Sequence, residues 1–596
     1  MKRLYLIFLI LLLAACGSRP ATEVVEQPLP TTPPDWLTKL PTPAITPESS
    51  AEQSRLSNNE SEDTTPASES SPSQDSEERE EPTPAPTLVP TSTAAFHLPK
   101  LLSRQWTISA DSGVPAELID SARALAGQRP DEYLWVEPGS LPTDITLQID
   151  GDGSLANWTY VVAAPFATLE DDISEEELVE LWSSSDLAER SLILTDEAAG
   201  MLREKWGKPG ANVTVVPEAE LVLSLWDNRP SLTVLPFDQL TPELKVLRFD
   251  GLSPVSVEFT PEEYALQVSI GIDGEQEAKD AFLDAWKRET ANFDPDKLTT
   301  VAMTGVTALV RATAAQMEID GILSPAVDVG PILRGVDFAH ISNEVSFDAN
   351  CPEPVPYGGT SFCSQDEYFA LLEEIGTDII ELTGNHLDDW GTENVDRTID
   401  MYETAGMDYF GGGRNNEDAK RAAIIEHNGN KIALVGCNYF GPVYAWTTET
   451  TGGSRQCGQD FFDQIAQLDA EGYVVIATQQ YTEYYQYAPM PDQERDFHAI
   501  ADAGAAAVSG SQGHHAQGFD FYDGAFIHYG LGNLFFDQMD LLGTRQSFVD
   551  TYSIYDGRLI NVDLWTGLIE NFSTPRTSSP AERRQALQAV FEASGW

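Results

Sequence analysis

The chain has 596 residues, with 95 Asp and Glu against 35 Lys and Arg, so its formal net charge is −60 at neutral pH. This balance argues against nucleic acid as a partner, because neutralising a polyanion requires clustered Lys and Arg. It also argues against adhesion to anionic lipid by charge, and it is typical of a protein that stays soluble in a salty or extracellular medium.

The first residues have the pattern of a lipoprotein export signal. Lys2 and Arg3 precede an apolar run from Leu4 to Leu13, and the following Leu-Ala-Ala-Cys, ending at Cys16, resembles a bacterial lipobox. The apolar run is shorter than the roughly 20 residues of a membrane span. We predict a signal peptide at 1–15 and a lipidated Cys16 that tethers the protein outside the cytoplasm; the alternative is an ordinary signal peptide in which Cys16 is incidental.

Residues 16–97 lack the composition of a folded core. They are rich in Pro, Ser, Thr and Glu, with almost no aromatic or β-branched clusters. Proline at this density stiffens and extends a chain, and the mostly acidic run at 77–81 repels itself. The segment is predicted to be a disordered stalk.

Residues 98–292 alternate strand-like and helix-like segments. Thr159 to Ala164 and Ser231 to Leu235 are strand-like runs, and Ser174 to Ser183 is a predicted helix with glutamates in its first turn. The alternation predicts an α/β lobe. Phrases such as A-P-F-A-T-L-E-D-D-I-S and T-V-L-P-F-D-Q-L resemble the solute-binding proteins of bacterial uptake systems, and a generic α/β lobe is the alternative.

Residues 297–575 continue the alternation and add hairpins. Leu298 to Thr304 is a predicted strand, and Ser364 to Glu367 is a capping-box pattern that predicts a helix over 365–375. Asn428-Gly429 is a favoured two-residue hairpin turn. Helices between buried strands predict α/β architecture with packed sheets flanked by helices, and 576–596 is predicted to be a C-terminal tail helix.

Four cysteines remain once Cys16 is set aside. In an oxidising compartment an even number favours two disulfides. We predict the sequence-local pairs Cys351–Cys363 and Cys437–Cys457, while the other two connectivities stay open. A zinc site is less favoured because no pair has C-x-x-C spacing.

Polar residues follow four predicted strands, where chemistry collects in such sheets. Carboxylate, amide and imidazole groups from several strands are what divalent ions require. Adjacent side chains on a strand point oppositely, so we expect one of His514 and His515 to face the site. The four groups are Asn343-Glu344, Asn385-His386 with Asp388-Asp389, Gln479-Gln480 with Glu483, and His514-His515 before Gln517.

These motifs resemble the CapA-like poly-γ-glutamate capsule biosynthesis family over residues 297–540. That family reads G-D-V-M, N-L-E, N-H-x-x-D-x-G, H-W-G-x-E-Y, G-x-H-P-H and Y-S-L-G-N-F-x-F-D. The matching segments here are N-H-L-D-D-W-G (385–391), Glu483-Tyr484, G-H-H-A-Q (513–517) and Y-G-L-G-N-L-F-F-D-Q (529–538).

The resemblance implies an α/β/β/α sandwich of the metallophosphatase type with a bound divalent metal, Mn, Fe or Zn. His386 and Asp389 are then the catalytic candidates. The candidate metal ligands are Asn385, Glu344, His514, His515 and Gln479.

Departures from the family pattern weaken the predicted metal site. Val306 stands where the family has Asp, and Gln479 where it has His. N-L-E becomes Asn343-Glu344-Val345, which moves the acid by one residue and, on a strand, to the opposite face. G-H-H-A-Q keeps the first family His as His515 and replaces the second by Gln517. We expect one ion or none.

Two hypotheses of function follow. In one, the protein is a cell-surface hydrolase or transferase with a degenerate metal site. In the other, it is a non-catalytic protein that binds or assembles a capsule or envelope polymer. A solute-binding function led by the first lobe is a third, minor reading. The expected partners are an anionic or peptidic envelope polymer and, through the lipid anchor, the membrane; the oligomeric state is not predicted.

Overall fold

The computed structural model describes residues 104–140, 142–185, 189–287 and 290–596, which belong to one compact unit. The predicted signal peptide, the lipobox at Cys16 and the stalk lie outside the described residues. Within them, no helix is both long and apolar enough to cross a membrane.

The first lobe is built on a mixed sheet with the strand order β2-β1-β3-β11-β4-β8-β6-β7, and β9 and β12 pair with β4. Its strands are β1 (Trp106–Ala110), β2 (Tyr133–Trp135), β3 (Ile145–Ile149), β4 (Asp152–Pro165), β5 (Asp172–Ile173), β6 (Ser191–Leu194), β7 (Val213–Val215), β8 (Ser231–Pro236), β9 (Leu244–Val246), β10 (Arg248–Phe249), β11 (Gln267–Gly274) and β12 (Thr290–Ala291). Its helices are α1 (Ala116–Gln128), α2 (Glu175–Ser183), α3 (Asp196–Trp206), α4 (Leu221–Asp227) and α5 (Gln276–Trp286).

The α/β prediction for this lobe is confirmed. The predicted helix at 174–183 is α2, and Ser174 and Glu177 form the reciprocal capping box that satisfies its first amides. Apolar side chains such as Leu118, Trp182 and Phe282 pack in one core against the sheet.

The second domain contains a larger and a smaller sheet. Its strands are β13 (Leu298–Thr304), β14 (Val306–Thr307), β15 (Phe338–Asn343), β16 (Ile379–Glu381), β17 (Asp408–Phe410), β18 (Gly412–Gly413), β19 (Ala423–His427), β20 (Asn430–Asn438), β21 (Gly453–Ser454), β22 (Val474–Gln480), β23 (Ala507–Ser509), β24 (Phe519–Tyr522), β25 (Ala525–His528), β26 (Asn533–Phe535), β27 (Gln546–Tyr555), β28 (Arg558–Glu570) and β29 (Thr574–Thr577). Its helices are α6 (Arg311–Asp320), α7 (Ala326–Leu333), α8 (Phe369–Glu374), α9 (Thr392–Ala405), α10 (Gln459–Ala470), α11 (Pro491–Asp502), α12 (Leu542–Arg545) and α13 (Pro580–Ala593).

The two sheets of this domain pack face to face. The larger has the order β17-β16-β15-β13-β27-β28-β29, with β14 joining β15 to β26, and the smaller is β19-β20-β22-β23-β25-β24. Val301 and Ile379 from the larger sheet share a core with Ile432 and Ile476 from the smaller. Helices α6 to α9 cover the outer face of the larger sheet, and α10 and α11 contact the smaller. The layer order is therefore α/β/β/α, while the metallophosphatase assignment stays a prediction.

Parallel strands set the position of the site. β15 and β16 run parallel in the larger sheet, and β22 and β23 run parallel in the smaller. The carboxyl ends of parallel neighbours meet at one edge of a sheet, and the two packed sheets bring both edges together. The predicted hairpin at Asn428-Gly429 is confirmed, since both turn residues have the positive φ that such a turn requires.

One helix start differs from its prediction. The Ser364 hydroxyl donates to the carbonyl of Leu309 (3.1 Å) and does not cap the next helix. The segment begins as a 3₁₀ turn at Asp366–Tyr368 and becomes α8 at Phe369. The capping-box prediction is wrong here because a tertiary hydrogen bond takes the serine.

The C-terminal helix α13 packs where the first lobe contacts the second domain. Phe166 of the lobe packs edge-to-face against Phe519, Phe526 and Phe591. Beside this cluster Asp171 accepts hydrogen bonds from Arg583 of α13, the shorter at 2.7 Å. The predicted tail helix is thus part of the core that joins the two halves.

Candidate active site at the strand ends

The predicted strand ends bring their polar side chains together in one cluster. Glu344 follows β15, His386 follows β16, Glu483 follows β22 and His514 follows β23. Nε2 of His514 lies 3.7 Å from a carboxylate oxygen of Glu483, and Val345 bridges to the backbone of His386. We call this cluster of side chains the strand-end hollow; it consists of Glu344, Asn385, His386, Asp389, Glu483 and His514.

His386 is oriented by Asp389. Nδ1 of His386 lies 2.7 Å from Oδ2 of Asp389, and the same oxygen accepts the backbone N–H of Phe362 at 2.9 Å. The Phe362 ring packs on the imidazole, with ring centroids 4.4 Å apart. Burial alone would lower the pKa of His386, but Asp389 and the charge of Glu344 outweigh it, so the pKa is raised. The imidazole has its Nδ1 engaged, which leaves Nε2 for chemistry.

Glu344 is the deepest acid of the hollow. The residue is 1% exposed, and its two carboxylate oxygens have no hydrogen-bond partner among the residues that the structure describes. Burial raises the pKa of Glu344, while the neighbouring His514 and His386 act in the opposite direction. Gly384 allows this packing, because a Cβ at that position would collide with Glu344.

The expectation that Glu344 faces away from the site is wrong. β15 ends at Asn343, so the alternation of a strand does not extend to the next residue. The side chain of Asn343 instead turns toward α9, where its Nδ2 donates to the Tyr402 hydroxyl at 2.7 Å.

Of the adjacent histidines, His514 faces the hollow. Its Nδ1 lies 2.7 Å from Oδ1 of Asn533, and its ring stacks on Phe536. His515 is not brought to the site: its Nδ1 bonds its neighbour's carbonyl, and its ring packs against Tyr487 and Gly543. The expectation that one of the pair faces the site therefore agrees with the geometry.

The geometry also changes the motif register. If His514 is the second imidazole of G-x-H-P-H, the motif begins at Gly510 and its first imidazole position is Gln512. Nε2 of Gln512 donates to the Ser342 hydroxyl at 2.7 Å, and its Oε1 has no hydrogen-bond partner within the described part of the chain. In that alignment, the register that keeps His515 and replaces the second histidine by Gln517 lies three residues too late.

Asn385 is in the hollow, whereas Gln479 is not brought there. Asn385 is 9% exposed, and its Oδ1 is buried without a hydrogen-bond partner from the described ranges. Gln479 turns toward Cys457, with Nε2 to Sγ at 3.5 Å. The next residue, Gln480, accepts a hydrogen bond from Asn438, which also donates to the carbonyl of Thr383 at the end of β16. Gln480 is therefore linked through Asn438 to the backbone that follows β16.

Arg311 is a component that the sequence reading missed. Its guanidinium pairs with Asp537, and it lies over the rings of Phe536 (4.7 Å) and Phe362 (5.1 Å). Asp537 lies in the segment that carries the family motif, but nothing in the sequence joins it to a residue 226 positions away. Arg311 and Asp537 line a cleft of about 460 Å³ with Tyr357, Tyr485 and Gln538. The Tyr485 hydroxyl donates to Glu483 at 2.7 Å, which connects this cleft to the hollow.

The donor set does not fit the two-metal centre that the family pattern implies. Among the described residues, no three His, Cys, Asp or Glu side chains are grouped so as to hold a metal ion. Val306 is fully buried and apolar, and Gln512 and Gln480 offer neutral amides, which are poor ligands beside imidazole. Of the predicted metal ligands, the hollow retains Glu344, Asn385 and His514.

The predicted disulfides are confirmed, and Cys351–Cys363 closes the loop that carries Phe362.

Comparison with known proteins identifies the domain that contains the hollow. The family model for the bacterial capsule synthesis protein PGA_cap matches residues 300–538. A capsule biosynthesis protein CapA of Bacillus anthracis is 29% identical over 232 residues, which is 38% of this chain and 56% of that protein. A PGA biosynthesis protein CapA of Bacillus subtilis is 25% identical over 264 residues, 43% of this chain and 69% of that protein.

The chain thus spans little more than half the length of the first of these relatives. Among solved structures, an ABC-type phosphate transport receptor from Vibrio cholerae matches 31% of this chain and 93% of its own, with 14% identity and a TM-score of 0.26. A likeness of that size supports no inference about ligand or fold.

Proposed function

We propose that this chain, which carries a CapA-like capsule synthesis domain at residues 300–538, acts in the synthesis or anchoring of a peptidic envelope polymer of the poly-γ-glutamate kind. The relatives that match this domain are named for capsule and PGA biosynthesis. The polymer-handling site is assigned to the strand-end hollow and the adjoining cleft.

The observation that supports this assignment most directly is the state of Glu344. A buried carboxyl group is costly unless it is hydrogen-bonded or paired. Both oxygens of Glu344 lack such partners within the described ranges, and the acid sits between two imidazoles. An unsatisfied buried group of this kind is rare in native proteins and is explained by a catalytic role or by a bound group that completes its hydrogen bonds.

The proposed binding mode is hydrogen bonding to the polymer's amide groups. Gln538 lines the cleft, and Asn385 and Gln512 each have a buried amide oxygen without a hydrogen-bond partner among the described residues. Attraction of the polymer's carboxylates by charge is not expected, because the chain is itself strongly acidic and Arg311 is neutralised by Asp537. A peptidic backbone offers donors and acceptors that these amides match.

The test measures binding of poly-γ-glutamate to the full-length chain in detergent micelles, with polyacrylate as the matched control. Both polymers carry a carboxylate on every unit, but the polyacrylate backbone has no amides. We expect binding of poly-γ-glutamate and much weaker binding of polyacrylate. Equal affinity for the two polymers, or none for either, would contradict the proposal.

A second candidate function is a metal-independent hydrolase, which the His386–Asp389 pair favours. In hydrolysis of a polymer amide, water adds its hydroxyl to the acyl carbon, and the imidazole delivers a proton to the departing amine. The assay follows polymer length in the presence of a chelator, with His386→Gln as the variant. Chain shortening that survives the chelator and disappears in H386Q supports this reading; polymer of unchanged length in both samples refutes it.

The cell-envelope location rests on the lipobox at Cys16, which stays a proposal. Cys16→Ser is expected to release the protein from membranes into the soluble fraction, because the thioether link to lipid cannot form. Continued membrane retention of C16S would reject the lipid anchor and leave the polymer-binding proposal to be decided by its own test.

A further inference from the structure

Among the described residues, the acids of the strand-end hollow outnumber its two imidazoles, those of His386 and His514. Glu344, Asp389 and Glu483 act electrostatically on one another, and Asp388 adjoins Asp389. The nearby cation, Arg311, is held by Asp537 through its guanidinium, and the same Asp537 accepts the backbone N–H of Ala312 at 2.9 Å. His386 is already engaged with Asp389. The negative charge of the hollow is therefore left for a ligand to balance.

The acceptor atoms of the hollow have a definite number and kind. Glu344 contributes two oxygens and Asn385 one, and all three are buried without hydrogen-bond partners in the part of the chain that is described. A primary ammonium group has three N–H donors and no acceptor. Ca²⁺ would instead take six to eight oxygen ligands, whereas these two side chains supply three.

Aromatic side chains lie next to the same acids. Trp390 is 40% exposed and directly follows Asp389. Tyr444 is 63% exposed, and its pKa is raised by partial burial and, to a smaller extent, by the charges of Asp389 and Asp388. The faces of Trp and Tyr attract ammonium groups. Carboxylates together with exposed aromatic faces make a surface that favours an organic cation over an anion.

We propose that the strand-end hollow binds a primary ammonium group through Glu344 and Asn385, and that in a γ-linked glutamyl polymer this group is the free amino end of the chain. The assignment rests on the proposed function, since it names which part of the polymer enters the hollow. The side chains of such a polymer are carboxylates, which Glu344 and Asp389 repel. Its amino terminus is the cation that remains, so the hollow recognises the end of the polymer and not its repeating unit.

The experiment compares a γ-linked glutamyl pentamer that has a free amino end with the same pentamer N-acetylated. Calorimetry is run on the full-length chain in detergent micelles. Acetylation removes the positive charge while the carboxylates and amides stay, so we expect the free amine to bind at least about tenfold more tightly. Glu344→Gln should remove that difference. Glu426→Gln, the same change at an exposed position of β19, should preserve it.

The outcomes distinguish recognition of the amino end from the proposed function in polymer binding. Equal binding of the two pentamers, or binding of neither while long poly-γ-glutamate still binds, overturns recognition of the amino end and leaves the polymer proposal standing. Binding of the pentamer with a free amino end, without binding of the long polymer, supports the ammonium site and contradicts the proposed function in polymer binding. Stoichiometric, Glu344-dependent binding of Mn²⁺ that displaces the pentamer would show an inorganic ion as the occupant. Unfolding measured on E344Q and E426Q checks that both variants are folded.

Discussion

Glu344→Gln is expected to stabilise the ligand-free protein, although Glu344 is central to the hollow. The substitution keeps the shape of the side chain and removes a buried negative charge whose two oxygens lack hydrogen-bond partners among the described residues. A buried unsatisfied polar group costs about 1–3 kcal/mol, and more when it is charged. The nearby His514 and His386 stabilise the charged form of Glu344 and so offset part of this cost. We therefore expect a gain of about 1–2 kcal/mol in the free energy of unfolding at pH 8.

The stabilisation expected from Glu344→Gln should depend on pH. The pKa of Glu344 is raised in the folded state by burial, so the folded protein binds this proton more tightly than the unfolded chain does. The stability that this proton contributes is fully present below the unfolded pKa of about 4.5. It is lost as pH rises through the higher folded pKa. The advantage of E344Q should therefore be small near pH 4 and reach its full size at neutral pH and above.

Urea unfolding at pH 4.5, 6 and 8 measures the difference between E344Q and the wild type, and E426Q serves as the exposed control with no expected trend. A gain that does not change with pH would show that the effect is one of packing and not of charge. A loss of stability at pH 8 would show that Glu344 has a partner in the folded chain, and the reasoning about the hollow would fall with it.

Asp389→Asn should destabilise the protein by about 1.5–3 kcal/mol below pH 6.5, since it removes a charge-assisted hydrogen bond to His386. His386 has a raised pKa, so the loss should fade as pH rises through the folded pKa, as urea unfolding at pH 5.5 and 9 would register; equal losses at both pH values would refute the charge assignment. Replacing Cys351 and Cys363 by Ser should cost about 2–4 kcal/mol by the same method and weaken polymer binding, because their loop holds Phe362 on His386; unchanged affinity would mean that the loop is not part of the site. Affinity for poly-γ-glutamate should rise between 50 and 500 mM salt, since both partners are anionic and salt screens their repulsion; a fall with salt would point to a basic contact.

Local signals explain the parts of the fold that were predictable. The capping box at Ser174 and the turn at Asn428-Gly429 depend on hydrogen bonds and dihedral angles within a few residues, so their patterns carry over to the structure. The Ser364 pattern failed because a distant carbonyl, that of Leu309, takes its hydroxyl. A local sequence pattern does not show that a carbonyl from another element competes for the same hydroxyl.

The site was predictable in its strand ends but not in its register. His386 and Asp389 were identified because they share one turn of a conspicuous motif. The choice between His514 and His515, and between Gln479 and Gln480, depends on which way each strand end faces. A one-residue change of facing moves a side chain out of the site, and strand direction is set by sheet packing that no short motif encodes.

The site lacks several of the family's metal ligands but keeps its buried acid, and this combination constrains the charge of the ligand. In a two-metal centre the cations balance the surrounding carboxylates, so a site that keeps its acids but has fewer metal ligands needs positive charge from another source. Here the positions at Val306, Gln512 and Gln480 are neutral, which removes ligands without adding positive charge. Glu344 nevertheless remains, buried beside two imidazoles. A buried acid whose oxygens lack hydrogen-bond partners among the described residues is explained if a balancing positive charge arrives with the ligand. For this reason we propose the amino end of the polymer, and not its carboxylates, as the group that enters the hollow.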